Sequence, residues 1–197
     1  MLESLFFIII FIFSAAFHEY MHGYAAYRLG DTTAKDAGRL TLNPWPHLDF
    51  FGSFLLPFSM MLMGSSAIFG WAKPVPYNPN RLDDKKYGEA KVALAGPLAN
   101  FLLALFFALA IRLLPFDFRL AGYLSLVVQI NLVLMVFNLL PIPPLDGSKI
   151  LAAFLPENWR FRYLELDRYG FILVIVFVMI FGDWLYPIIN SLFRLLV

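Results

Sequence analysis

The chain has 197 residues, 60% of them hydrophobic and 18% aromatic, with a mean hydropathy of +0.72. Soluble globular domains do not reach these values, so the expectation is an all-α polytopic membrane protein in a lipid bilayer, one domain over residues 1–197. The net charge of +1 argues against a nucleic-acid partner, and the absence of cysteine excludes disulfides and thiolate metal sites.

The first apolar run, Leu5 to Ala26, reads as a retained helix over 4–27. Glu3 is the only charge before Glu19, so the basic leading region of a cleaved signal is missing. Inside the run lies His18-Glu19-Tyr20-Met21-His22. Residues four apart on a helix share a face, so both imidazoles point to one side, one turn apart. That spacing suits two nitrogens meeting one Zn²⁺ at roughly 2.0–2.1 Å each. Glu19 then lies beside the metal rather than on it, where it can take a proton from the attacking water. Ionisable groups at membrane depth are costly and usually functional.

The helix is expected to end near Arg28-Leu29-Gly30-Asp31, with Gly30 a C-cap. In Gly38-Arg39-Leu40-Thr41-Leu42-Asn43-Pro44, Leu40 and Leu42 alternate with Arg39, Thr41 and Asn43, the pattern of a short strand or hairpin. An exposed strand edge there is a candidate for holding an unwound substrate by β-augmentation. Residues 50–70 are apolar but broken by Pro57 and Gly64-Ser65-Ser66. Gly70 to Pro79 is extended by its prolines, and 81–91 reads as a charged surface loop. Residues 92–114 and 120–140 read as spanning helices, with Pro97 in a first turn. Asn138-Leu139-Leu140-Pro141-Ile142-Pro143-Pro144-Leu145-Asp146-Gly147 follows, then a polar amphipathic stretch over 148–168 and a last spanner over 169–192. That makes about four spans.

A catalytic zinc takes three protein ligands and keeps one position open. His47 is the only other histidine and sits in a polar loop, so Asp146 is the better third ligand. Asn131 and Asn138 lie seven apart on one helix face, placed to hold a peptide backbone, orient a ligand or bond between helices. For His18, His22 and Asp146 to share a metal, residues 28–91 must start and finish on one side, which makes 50–70 re-entrant. Twelve of the 15 Lys and Arg then fall on the side of the active site, and Arg112, Arg119 and Arg194 on the other. The positive-inside rule directs that site toward the cytoplasm, with both termini outside.

With these pieces in order, the sequence resembles the site-2 protease family of intramembrane zinc metalloproteases. The resemblance rests on His18 to His22, on Ala95-Gly96-Pro97-Leu98-Ala99-Asn100, and on Asn138 to Gly147 as NxxPxPxLDG. The short prokaryotic branch also shows Gly38 to Pro44, an H-x-D-P-x-G element and Gly70-Trp71-Ala72-Lys73-Pro74-Val75-Pro76. Phe50 departs from that pattern, standing where the branch has proline after His47-Leu48-Asp49. The resemblance covers about residues 14–150 and implies that His18, His22 and Asp146 hold one Zn²⁺ and that Glu19 activates water. It further implies cleavage of peptide bonds in or near transmembrane segments of other membrane proteins, in a prokaryotic cell membrane, by a type without PDZ or CBS regions.

Two other readings account for less of the sequence. A different membrane zinc hydrolase would draw a Glu ligand from a later helix, whereas Glu89, Glu157 and Glu165 are expected in polar loops. A transporter or inactive scaffold would not require Glu19, and the repeated halves of a transporter are not seen.

Overall fold

A computed structural model of the chain describes residues 2–55, 58–59, 70 and 72–197. Four helices are long and apolar enough to cross a membrane: α1 (Leu2–Arg28), α3 (Gly88–Leu113), α4 (Phe118–Asn138) and α7 (Gly170–Leu196). Short helices lie between them: α2 (Thr33–Asp36), α5 (Asp146–Ala152) and α6 (Glu157–Leu164). A tight turn over Glu165–Tyr169 joins α6 to α7.

The sequence of α3 explains how the bundle packs. Its buried positions carry small or polar residues, among them Ala93, Gly96, Asn100, Ala104 and Ala108. Leu94, Leu98, Leu102, Phe106, Leu109 and Leu113 point outward and are exposed. Lipid gives large apolar side chains no reason to hide, so small residues take the helix–helix seam and let backbones approach. The helix α3 is accordingly the hub, packing on α1, α4 and α5. Ala104 and Ala108 meet Val128 and Leu132 of α4 in a buried cluster, closed on one side by Ile189, Leu192 and Phe193 of α7. Much of α7 faces outward, and only Gly170 and Val174 of it are buried.

The helix α1 ends as expected, with Gly30 at φ 94°, a left-handed conformation that glycine adopts without penalty. Segment 29–87 leaves and returns at one end of the α1–α3 pair. The Asp83 N–H donates to the Leu29 carbonyl at 2.8 Å, and the Asp31 carboxylate accepts the Asn78 N–H at 2.5 Å. Asp31 also accepts the N–H and hydroxyl of Thr33.

Three expectations need correction or narrowing. Residues 38–43 form no strand, and no strand occurs among the described residues. Their backbone groups go elsewhere: the Arg39 N–H donates to the Ala34 carbonyl, the Thr41 carbonyl accepts from His47 Nε2, and the Asn43 N–H donates to the Thr41 hydroxyl. Local side-chain partners here outcompete a ladder. Pro97 is not in a first turn, because α3 starts at Gly88 and makes Pro97 an interior residue. The expected re-entrant segment falls largely on residues 56–57 and 60–69, outside the described residues, and its described start, Phe50–Leu55, is a single wide helical turn.

Candidate metal centre

Three elements bring the predicted ligands together. The helix α1 presents His18 and His22 on one face, as their spacing requires. Asp146 opens α5, just beyond the turn that follows α4. Gly147 permits that approach: a Cβ there would lie 2.2 Å from the Leu139 carbonyl oxygen, so only glycine lets α5 start against the end of α4. The Pro143–Pro144 bond in the intervening turn is cis.

The three ligand atoms converge. His18 Nε2 lies 2.9 Å from His22 Nε2 and 3.1 Å from Asp146 Oδ2, and His22 Nε2 lies 3.2 Å from the same oxygen. All three residues are buried. The outer ring nitrogens show which atoms carry protons. His22 Nδ1 stands 2.7 Å from the Val92 carbonyl, which only accepts, so Nδ1 carries the hydrogen and Nε2 the lone pair. His18 Nδ1 stands 2.6 Å from Asn100 Oδ1, another acceptor, with the same result. Two lone pairs and a carboxylate oxygen within about 3 Å, with no proton between them, repel one another unless a cation joins them. A tetrahedral ion bound at 2.0–2.1 Å sets its ligand atoms about 3.3 Å apart, close to the spacing seen.

Glu19 sits beside this cluster. Its Oε2 accepts the Val75 N–H at 2.8 Å, from the proline-rich segment 72–77. That segment is itself held: Arg39 Nη2 donates to the Lys73 carbonyl at 2.8 Å and to the Pro74 carbonyl at 3.3 Å, and the Lys73 N–H donates to the His47 carbonyl at 2.8 Å. A cavity of about 480 Å³ opens onto the cluster, lined by His18, Glu19, His22, Asp146, Asn138 and Lys149 among others. Burial alone would lower the pKa of Lys149, but Tyr77 and Asp146 hold it above the ordinary lysine value, so the cavity keeps a cation.

A model of peptidase family M50 matches residues 116–182. YwhC of Bacillus subtilis (strain 168), classed by name among the zinc metalloproteases, is 40% identical over 195 residues, which are 93% of this chain and 85% of that protein. The chain belongs to peptidase family M50, the site-2 protease family. Rip2 of Mycobacterium tuberculosis (strain H37Rv), with the same class of name, is 29% identical over 186 residues, 92% of this chain and 70% of that protein. Zinc metalloprotease MJ0392 of Methanocaldococcus jannaschii is 34% identical over 85 residues, 42% of this chain and 24% of that protein. No solved structure matches. This M50 member is therefore a zinc metalloendopeptidase, and its four apolar helices make it a multi-pass membrane protein.

The donor set suits the family's metal: two neutral imidazoles and one carboxylate leave a four-coordinate zinc one open position. Among the described residues, His18, His22 and Asp146 form the group of such side chains close enough for one ion. His47 is not in that group; it is fully buried and bonded to the Thr41 carbonyl. Of residues 39–43, Arg39 reaches the segment that holds Glu19, while Leu42 is exposed. Asn138 lines the cavity and donates to the Leu134 carbonyl at 3.0 Å. Asn131 lies deeper, bonded to Asn100. Sequence reasoning gave no site role to Asn100, Gly96, Val75 or Lys149, although Val75 lies in the motif from Gly70 to Pro76. Asn100 had one signal: it sits with Gly96 in the family motif. A Cβ on Gly96 would come within 2.4 Å of His22 Nε2 and 2.6 Å of His18 Nε2.

Proposed function

We propose that this M50 enzyme cuts peptide bonds within or beside the transmembrane segments of other proteins, at one zinc held by His18, His22 and Asp146, with Glu19 as general base. The observation that carries the reading is the convergence of three unprotonated ligand atoms at a cavity inside a bundle of apolar helices. On this reading the 197 residues are a single metalloprotease domain.

Zinc, when bound, would supply Lewis acidity, lowering the pKa of water to about 7 and polarising a carbonyl. The chain's own residues do the rest. The Glu19 carboxylate accepts a proton as the water oxygen attacks the scissile carbonyl carbon, then returns it to the amine nitrogen as the C–N bond breaks. The Val75 N–H fixes the Glu19 rotamer for both transfers. Asn138 is the cavity amide assigned to the substrate backbone. A helical substrate shields its peptide bonds, so a segment must unwind before Glu19 can serve it.

The charge distribution supports a cytoplasmic active site, because segments 28–91 and 141–168 carry twelve of the 15 Lys and Arg. The test is cleavage of a panel of transmembrane segments by purified protein in lipid nanodiscs, beside Glu19→Gln. Wild type should cut, and Glu19→Gln should retain zinc while losing at least about 100-fold in rate. Zinc-loaded wild type that cuts soluble peptides but no membrane segment overturns the substrate class, and a fully active Glu19→Gln overturns the base.

A further inference from the structure

Behind His18 runs a chain of buried polar contacts that the reaction does not itself require. Asn100 Nδ2 donates to Asn131 Oδ1 at 2.9 Å and to the Ser14 carbonyl at 3.3 Å. Asn131 Nδ2 donates to the Val127 carbonyl at 2.9 Å and to the Ser14 hydroxyl oxygen at 3.0 Å. Asn100 and Asn131 are wholly buried, and Ser14 nearly so. The contacts tie α1, α3 and α4 together at membrane depth.

The orientation of both amides is settled by backbone. Carbonyl oxygens only accept, so the Val127 carbonyl forces the NH₂ of Asn131 toward itself and turns Asn131 Oδ1 to Asn100. The Ser14 carbonyl and Asn131 Oδ1 together then draw the NH₂ of Asn100. That leaves Asn100 Oδ1 facing His18 Nδ1 at 2.6 Å. A flipped Asn100 would aim its NH₂ at Nδ1, favour the tautomer protonated on Nε2, and remove the lone pair a metal needs. In the bilayer no water replaces a lost partner, so each link of the chain is enforced.

We propose that Asn131 is a positioning residue that acts through Asn100 to set the proton of His18 on Nδ1, so that Nε2 is a ligand before any metal arrives. Asn131 touches neither metal nor substrate. The proposal rests on the reading of His18 as a zinc ligand, and the experiment separates the two.

The chain has three histidines, so protein labelled with ¹⁵N-histidine gives few ring signals, and two-bond couplings report each tautomer. Metal-free wild type in nanodiscs should show His18 protonated on Nδ1. In Asn131→Leu the Nε2-protonated form of His18 should appear, while His22, anchored by the Val92 carbonyl, keeps its tautomer. Zinc affinity, measured against a chelator, should fall about 10–100-fold in Asn131→Leu. Asn131→Asp should retain wild-type behaviour, because a buried neutral acid accepts from Asn100 and donates to the Val127 carbonyl. A neutral His18 that carries its proton on Nε2, with Nδ1 bare, in metal-free wild type overturns the proposal without any variant. So does an Asn131→Leu protein with unchanged tautomer and affinity. His18→Ala decides the underlying reading separately: if it binds zinc as tightly as wild type, His18 is no ligand.

Discussion

Gly96 shows how little room the site leaves at the scale of a single residue. It is buried on α3 opposite both imidazoles, and any side chain there would occupy the space between their Nε2 atoms and the helix. Gly96→Ala should therefore fold with its helices intact, since alanine is the better helix former, yet bind zinc poorly and cut nothing. Elemental analysis of the purified variant beside circular dichroism checks both halves. Normal zinc content in Gly96→Ala would mean that the rings shift at little cost. His18, Glu19 and His22 were legible in the sequence because a motif with fixed spacing encodes both a helix face and a chemistry. Asn100 was not, because a buried asparagine in a membrane helix reads equally as helix–helix glue. Its role depends on which neighbour its oxygen faces, and that is fixed by residues 31 and 82 positions away.

Among the elements, the spans were legible and the connections were not. Long apolar runs announce α1, α3, α4 and α7, because the bilayer demands that every backbone group be satisfied within its own helix. Residues 38–43 alternate like a strand, but alternation reports which side chains are apolar, not where the backbone bonds go. Thr41, Asn43 and His47 supply those partners locally. Asp31 does similar work where α1 ends, and it carries a pH signature. Burial raises the pKa of its carboxyl, but the bonds from the Thr33 hydroxyl and the N–H groups of Asn78 and Thr33 outweigh that and leave it below the ordinary value. A carboxyl depressed in the folded state stabilises the fold above its unfolded pKa of about 3.9 and loses that contribution as pH falls through the folded value. Thermal stability should thus fall below about pH 4. Asp31→Asn should cost roughly 1–3 kcal/mol at neutral pH and flatten the acid limb. An acid limb unchanged in Asp31→Asn would assign it to another carboxylate.

At the scale of the molecule, orientation is the property most open to direct test. The native chain has no cysteine, so a single introduced thiol reports its own side of the membrane without a background to remove. With the metal centre toward the cytoplasm, Lys85→Cys in intact cells should resist a membrane-impermeant thiol reagent until the cells are permeabilised, whereas Arg119→Cys should react at once. The reverse pattern would place the catalytic cavity outside. Arg119 stands at the start of α4, and Lys85 lies in the connection that returns to α1.

The packing that sets Asp146 beside His18 joins residues 128 positions apart. A ribosome delivers the two imidazoles with the first helix and the carboxylate only after two further spans have emerged. The nascent chain thus carries an incomplete centre until Asp146 has been made, and α1 enters the bilayer before that carboxylate exists. Of the centre's parts the carboxylate is consequently the last to arrive, and the spanning helix α7 is still to be made when it does.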